Sequence, residues 1–110
     1  MDTQHRIDIS LLNDVYGALL TSHQTEMIRL YYDLDVSLGE IADEYSVSRQ
    51  AVRDAIMRGE KALLDFESKL HILEKNKAVL SGLRQLEVAC CDNDALKSQV
   101  VDLIKVVEGD

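Results

Sequence analysis

Apolar residues at Ile9, Leu12, Val15, Tyr16, Leu19 and Leu20 recur every three or four positions, the period of a helix with one buried face. This spacing predicts a first helix over 9–20. The hydroxyls of Thr21 and Ser22 can accept from free backbone amides, and Met27, Ile28, Leu30, Tyr31 and Leu34 resume the stripe, so a second helix is expected over 22–34. Asp33, Leu34, Asp35 and Val36 break the period. Ser37 and Glu40 then stand at the spacing of a capping box, opening a short third helix with Leu38, Ile41, Ala42 and Tyr45 turned inward. Ser48 is a further N-cap, and Val52, Ala55, Ile56, Gly59, Leu63, Phe66, Leu70 and Leu73 keep to one stripe of a long fourth helix. Leu80, Leu83 and Leu86 continue that stripe past Lys77. Residues 63–86 therefore form either a coiled-coil-like arm or two helices broken near Asn76 or Gly82. Asp92, Asn93 and Asp94 mark a turn, and Leu96, Val100, Leu103, Ile104 and Val107 a last helix. No segment alternates with the period of a strand. The expected architecture is all-α: a small helical bundle over 1–110 as one domain, with a helix-turn-helix at 37–61 and a C-terminal helical extension over 62–110.

Composition supports this picture and narrows the class. A chain of 110 residues has room for one modest core, and 46% apolar with 5% aromatic residues implies a core of aliphatic side chains. Proline is absent, so no residue removes a helical donor. The apolar run around Ile104 is broken by Asp102 and Lys105, far short of the roughly 20 residues that span a bilayer. Residues Met1 to Arg6 lack the basic start and apolar run of a secretory signal. The expectation is a cytoplasmic protein without membrane insertion. Cys90 and Cys91 are adjacent in sequence, poorly placed to bridge one another or to chelate a metal, and are read as reduced thiols.

The formal charge of -8, from 12 Lys or Arg against 20 acids, argues against a general coat for nucleic acid or anionic membrane. It is unevenly distributed. Residues 1–47 carry two cations against nine acids, residues 48–61 four against two, and residues 62–110 six against nine. The one positive island is the start of the fourth helix, through Arg49, Arg53, Arg58 and Lys61.

That island lies within the strongest motif of the chain, SLGEIADEYSVSRQAVRDAIMR at 37–58. A short helix with Ile41 and Ala42 inward, a tight turn from Tyr45 to Ser48 and a second helix with Val52 and Ile56 inward meet the requirements of a helix-turn-helix. Ala42 is small enough for the helices to cross closely, and Val47 is expected to plug the turn from below. Ser48 starts the second helix, whose first amides can meet a phosphate. Arg49, Gln50 and Arg53 fall within one outward turn: the arginines suit phosphate or guanine, and Gln50 suits adenine. Ser48, Arg49, Gln50, Arg53, Arg58 and Lys61 are thus the candidate nucleic-acid-binding residues, while Asp54 introduces a charge that repels phosphate.

Leu38, Glu40, Ile41, Ala42, Val47, Ser48, Arg49, Val52, Arg53 and Ile56 resemble the region-four fold of bacterial sigma factors, and Gln24-Thr25-Glu26 with Leu30-Tyr31-Tyr32 resembles the helix preceding it. Across nearly the whole chain, Leu30-Tyr31-Tyr32, Ser37 to Ala42, Val47 to Val52 and Arg58 are similar to the YlxM-like family of small helix-turn-helix proteins. The resemblance implies a regulatory or accessory role in the signal recognition particle pathway, with the particle's GTPase, its RNA, or both as partners. The alternative is a DNA-binding transcriptional regulator that uses the helix from Ser48 for recognition. The 63–86 stripe also allows a homodimer, against packing within the chain itself.

No enzyme is expected. His5, His23 and His71 lack partners at metal-ligand spacing, and the isolated glycines 17, 39, 59, 82 and 109 form no phosphate-cradling loop. No cofactor and no metal are implied. Nothing arranges a serine, histidine and acid as an activated nucleophile.

Overall fold

The computed structural model describes residues 3–109; Met1, Asp2 and Asp110 lie outside it. The described residues form six α-helices and no strand. The chain divides into two compact units, one reaching to His71 and the other starting at Ile72. Residue 62, where the sequence pattern starts the C-terminal extension, lies inside the fourth helix of the first unit.

In the first unit, α1 spans Thr3–Tyr16, a tight 3-10 turn covers Gly17–Leu19, and α2 spans Ser22–Ile28 before widening into a π-helical turn at Arg29–Asp33. Helix α1 begins six residues before the apolar stripe does, because its first turns are held by polar bonds. The Arg6 guanidinium donates to the Tyr31 carbonyl and to Asp35, and lies over the rings of both Tyr31 and Tyr32. It also ends before Leu19, which is 59% exposed rather than inward. Thr21 caps α2, and the full reciprocal capping box forms here with Gln24. At Ser37, where the same box was expected, the serine oxygen accepts from the Glu40 amide.

Helix α3 spans Leu38–Tyr45 and α4 spans Arg49–Leu70. Ser46 closes α3 in the left-handed region at φ 57°, and the Val47 amide donates to the Ala42 carbonyl. The turn is thus shaped by the main chain. Val47 does not plug it from below, being 40% exposed. Ser48 accepts from the Ala51 amide and starts α4. The core beneath joins Ile9, Leu12 and Tyr16 of α1 to Met27, Ile28, Leu30, Tyr32, Ile41, Ala42, Val52, Ile56 and Leu63. Gly59 brings α4 against α2: a Cβ there would stand 2.6 Å from Ile28 Cδ1. Further along α4, Phe66 packs on the Tyr16 ring, and Tyr16 donates its hydroxyl to Glu67 at 2.5 Å. Leu63 and Phe66, the start of the 63–86 stripe, therefore serve the unit's own core.

The expected break near Asn76 or Gly82 falls instead at His71, whose φ of 54° ends α4 with its amide bonded to the Glu67 carbonyl. A left-handed cap of this kind usually falls on glycine, so no sequence signal marks it.

The second unit is a helical hairpin. Helix α5 spans Ile72–Ala89 and α6 spans Asp94–Glu108. Asn93 caps α6 by accepting from the Leu96 amide, as the Asp92–Asp94 cluster suggests. Val100 and Ile104 are buried, and Arg84 pairs with Glu108 between the two helices. Cys90 is half-buried and Cys91 exposed, both as free thiols.

Candidate nucleic-acid interface

Helix α3 and the turn at Ser46 and Val47 lead into α4, whose exposed side carries the predicted residues over half its circumference, from Arg49 at one edge to Arg58 at the other. The Ser48 cap and the buried Val52 and Ile56 fix the rotation of α4, so everything opposite that stripe faces outward. Ser48, Arg49, Gln50, Arg53, Arg58 and Lys61 are all exposed.

Their arrangement differs from a simple row. Arg49 leans back over α3. A Cβ on Gly39 would lie 3.0 Å from Arg49 Nε and 3.1 Å from one terminal guanidinium nitrogen, so the bare glycine makes room for the arginine. Gln50 donates from its side-chain amide to Asp54 Oδ1 at 2.8 Å. Asp54 therefore occupies a donor that reading adenine would require. Arg53 stands at the rim of a cavity of about 370 Å³ that is also lined by Tyr31, Tyr32, Leu38, Met57 and Glu60. Arg58 and Lys61 border a shallower depression with Leu64 and Asp65.

Two features escaped the sequence pattern. Met57 and Leu64, 56% and 51% exposed, lie among the cations of α4. Their spacing from Gln50 and Arg53 was a usable signal, because 50, 53, 57, 61 and 64 recur at three and four residues. The second feature is a polar cluster beside Arg53. Tyr32 donates its hydroxyl to Glu60, and His5 Nε2 stands 3.8 Å from the same carboxylate. Burial, reinforced by the Glu60 hydrogen bond and charge, pushes the Tyr32 phenol well above its ordinary range. The widely spaced His5, Tyr32 and Glu60 gave no local motif. Of the other histidines, His23 stands edge-on to Tyr45.

A short helix, a main-chain turn closed by a left-handed residue, and a longer helix with an exposed polar face define a helix-turn-helix protein. Sequence comparison gives the same class. The family described as "Putative helix-turn-helix protein, YlxM / p13 like" matches residues 3–106. The chain belongs to this family. It is 42% identical to a UPF0122 protein of Latilactobacillus sakei over 112 aligned residues, covering 98% of this chain and 99% of that protein. A UPF0122 protein of Clostridium botulinum is 44% identical over 88 residues, covering 76% and 81%. One from Desulforamulus reducens is 54% identical over 67 residues, and there the match spans 61% of this chain and 57% of the relative. Among the described residues, no helix is long and apolar enough to cross a membrane.

Proposed function

We propose that the protein is a regulatory accessory of the signal recognition particle pathway, working by binding the particle's GTPase, its RNA, or both through the helix-turn-helix. The role is one of docking rather than catalysis, and is set in the cytoplasm. The observation behind it is the exposed side of α4, where Arg53 and Lys61 form a cationic strip with Arg49 at one edge and Arg58 at the other, on a chain of net charge -8. Met57 and Leu64 add apolar area to this strip. A mixed cationic and apolar face suits a folded protein or RNA surface better than a row of duplex phosphates. The pathway itself comes from the family resemblance.

The test is a pull-down with the purified full chain against the particle's GTPase and RNA, with and without nuclease, followed by a GTPase rate assay. Expected is retention that survives nuclease for a protein partner or is lost for RNA, together with a changed rate. Absence of both co-elution and rate change at micromolar concentration overturns the reading.

A second reading, a DNA-binding transcriptional regulator, is favoured by one observation, the Ser48 cap that sets Arg49, Gln50 and Arg53 at the exposed start of α4. On that reading, replacing both Arg49 and Arg53 by Ala abolishes a salt-sensitive gel shift, each lost base contact being worth about 1–3 kcal/mol. No retention of any duplex at low salt removes it.

A further inference from the structure

The second unit has a surplus of apolar surface. Its hairpin packs through one side of each helix, with Leu73, Leu80 and Leu83 at least half-covered and Val100 and Ile104 buried. A second apolar seam remains outside that packing. On α5, Val79 and Leu86 stand one heptad apart and are 49% and 51% exposed. On α6, Leu96 and Leu103 also stand one heptad apart, at 47% and 53%, followed by Val106 at 74%.

Helical geometry puts the two seams on the same side of the hairpin. At about 100° per residue, Val79 and Leu86 are rotated from the inward stripe of α5 in the same sense, viewed from each N-terminus, as Leu96 and Leu103 are from the inward stripe of α6. In an antiparallel pair, equal rotations of that sense bring both seams to one face. The intervening positions on it, Gly82 and Gln99, are uncharged. Between Val79 and Leu86 and between Leu96 and Leu103 the stripe carries no charge, in a chain that is 29% charged, while Lys75, one heptad before Gly82, marks its end on α5.

We propose that this face is the contact surface for a second copy of the chain, the two hairpins meeting as a four-helix bundle. Three observations favour a second copy over another partner. Seams that repeat every seven residues on both helices are self-complementary under a two-fold axis, which is how most homodimers close. The unit is close to neutral, with five Lys or Arg against seven acids from residue 72 on, whereas residues 1–71 carry seven against thirteen, so two hairpins meet with little like-charge repulsion. An 18-residue and a 15-residue helix together fall below the size of about 40 residues at which a domain holds its fold without oligomerisation, a metal or disulfides. The α4 strip used in the proposed function plays no part in this surface, so either idea can fail alone.

The experiment is sedimentation equilibrium on the full chain across a range of concentrations. Expected is a species of twice the 12.4 kDa chain mass. Replacing both Leu86 and Leu103 by Glu, which buries four unpaired charges per dimer, should weaken association by at least about 100-fold. Val88→Glu, on the other side of α5, should leave it unchanged. Hydrogen exchange on the unaltered chain guards against variants that misfold: protection of α5 and α6 amides should rise with concentration. A monomer at every concentration up to about 100 μM, with flat exchange, overturns the proposal, because about 800 Å² per partner in a specific dimer gives tighter binding than that. So does a dimer that Val88→Glu breaks and the Leu86, Leu103 pair does not.

Discussion

The two units spend their apolar residues differently. Twelve buried apolar side chains hold the first unit, and among the described residues only Val100 and Ile104 reach that state in the second. The first unit also pairs part-buried polar groups along its packing: Asn13 with Thr25, Tyr16 with Glu67 and Tyr32 with Glu60. Among the described residues of the second unit, Arg84 pairs with Glu108 between the helices. A helix-turn-helix presented to a partner must hold its outer face in fixed register, and a dense core beneath α4 does that. In the hairpin Val79, Leu86, Leu96 and Leu103 remain exposed, and the proposed dimer would cover them.

The sharpest way to break this comparison is to cut into each unit and follow hydrogen exchange helix by helix. Leu63→Ala, at a fully buried site, should cost the α1 to α4 amides about 2–5 kcal/mol. Val88→Ala, at a site 74% exposed, should cost the α5 and α6 amides less than about 0.5 kcal/mol. Similar losses in both units would erase the contrast.

The part-buried polar bonds come next. Tyr32→Phe removes a hydroxyl bonded to the Glu60 carboxylate and should cost about 1.5–3 kcal/mol near neutral pH. Because the folded phenol ionises above its ordinary value near pH 10, its contribution is complete below that pH. It drains away as pH rises further, where the unfolded chain ionises and the folded one holds its proton. Denaturation midpoints from pH 8 to 11 should therefore fall more steeply for the unaltered chain than for Tyr32→Phe. Parallel slopes would count against that coupling.

Glycine substitutions should then give opposite signs. Gly59→Ala forces a methyl against Ile28 and should destabilise the first unit by about 1–3 kcal/mol. Gly82→Ala meets no atom within 4 Å and should stabilise α5 by about 0.5–1 kcal/mol. Thermal melts with exchange readout separate the two, and equal signs would mean that the packing contrast is wrong.

The smallest expected effect is at the start of α4. Ser48→Ala loses the bond to the Ala51 amide and should cost about 1 kcal/mol, readable as faster exchange in the first turn of that helix.

Much of this was legible because side-chain period and caps are local signals. Ile41, Ala42, Val52, Ile56 and Leu63 announced the helix-turn-helix core, and the exposed cations of α4 followed from their phase against it. What escaped depends on partners distant in sequence or on backbone choices that leave no residue signature. Arg6 extends α1 through Tyr31 and Asp35, residues that periodicity does not connect with it. Ser46 and His71 adopt left-handed angles without being glycine, which hid both the source of the turn and the end of α4. Within the candidate surface, charge was easy to see, while the Gln50 to Asp54 bond and the seating of Arg49 over Gly39 exist only in three dimensions.

The π-helical turn at Arg29–Asp33 carries a consequence for how this family can vary in length. A wider turn at the end of a helix moves its last residues about a quarter turn out of phase with the α-helix before them. Here that shift sets the Tyr31 and Tyr32 rings at right angles, 5.0 Å apart, with Arg6 across both. Deleting a single residue between 29 and 33 would restore an unbroken spiral and swing one tyrosine off the arginine. The same deletion in the bend between α5 and α6 would only shorten a loop. Tolerance to indels should therefore be lowest at a place that looks, residue by residue, like ordinary helix.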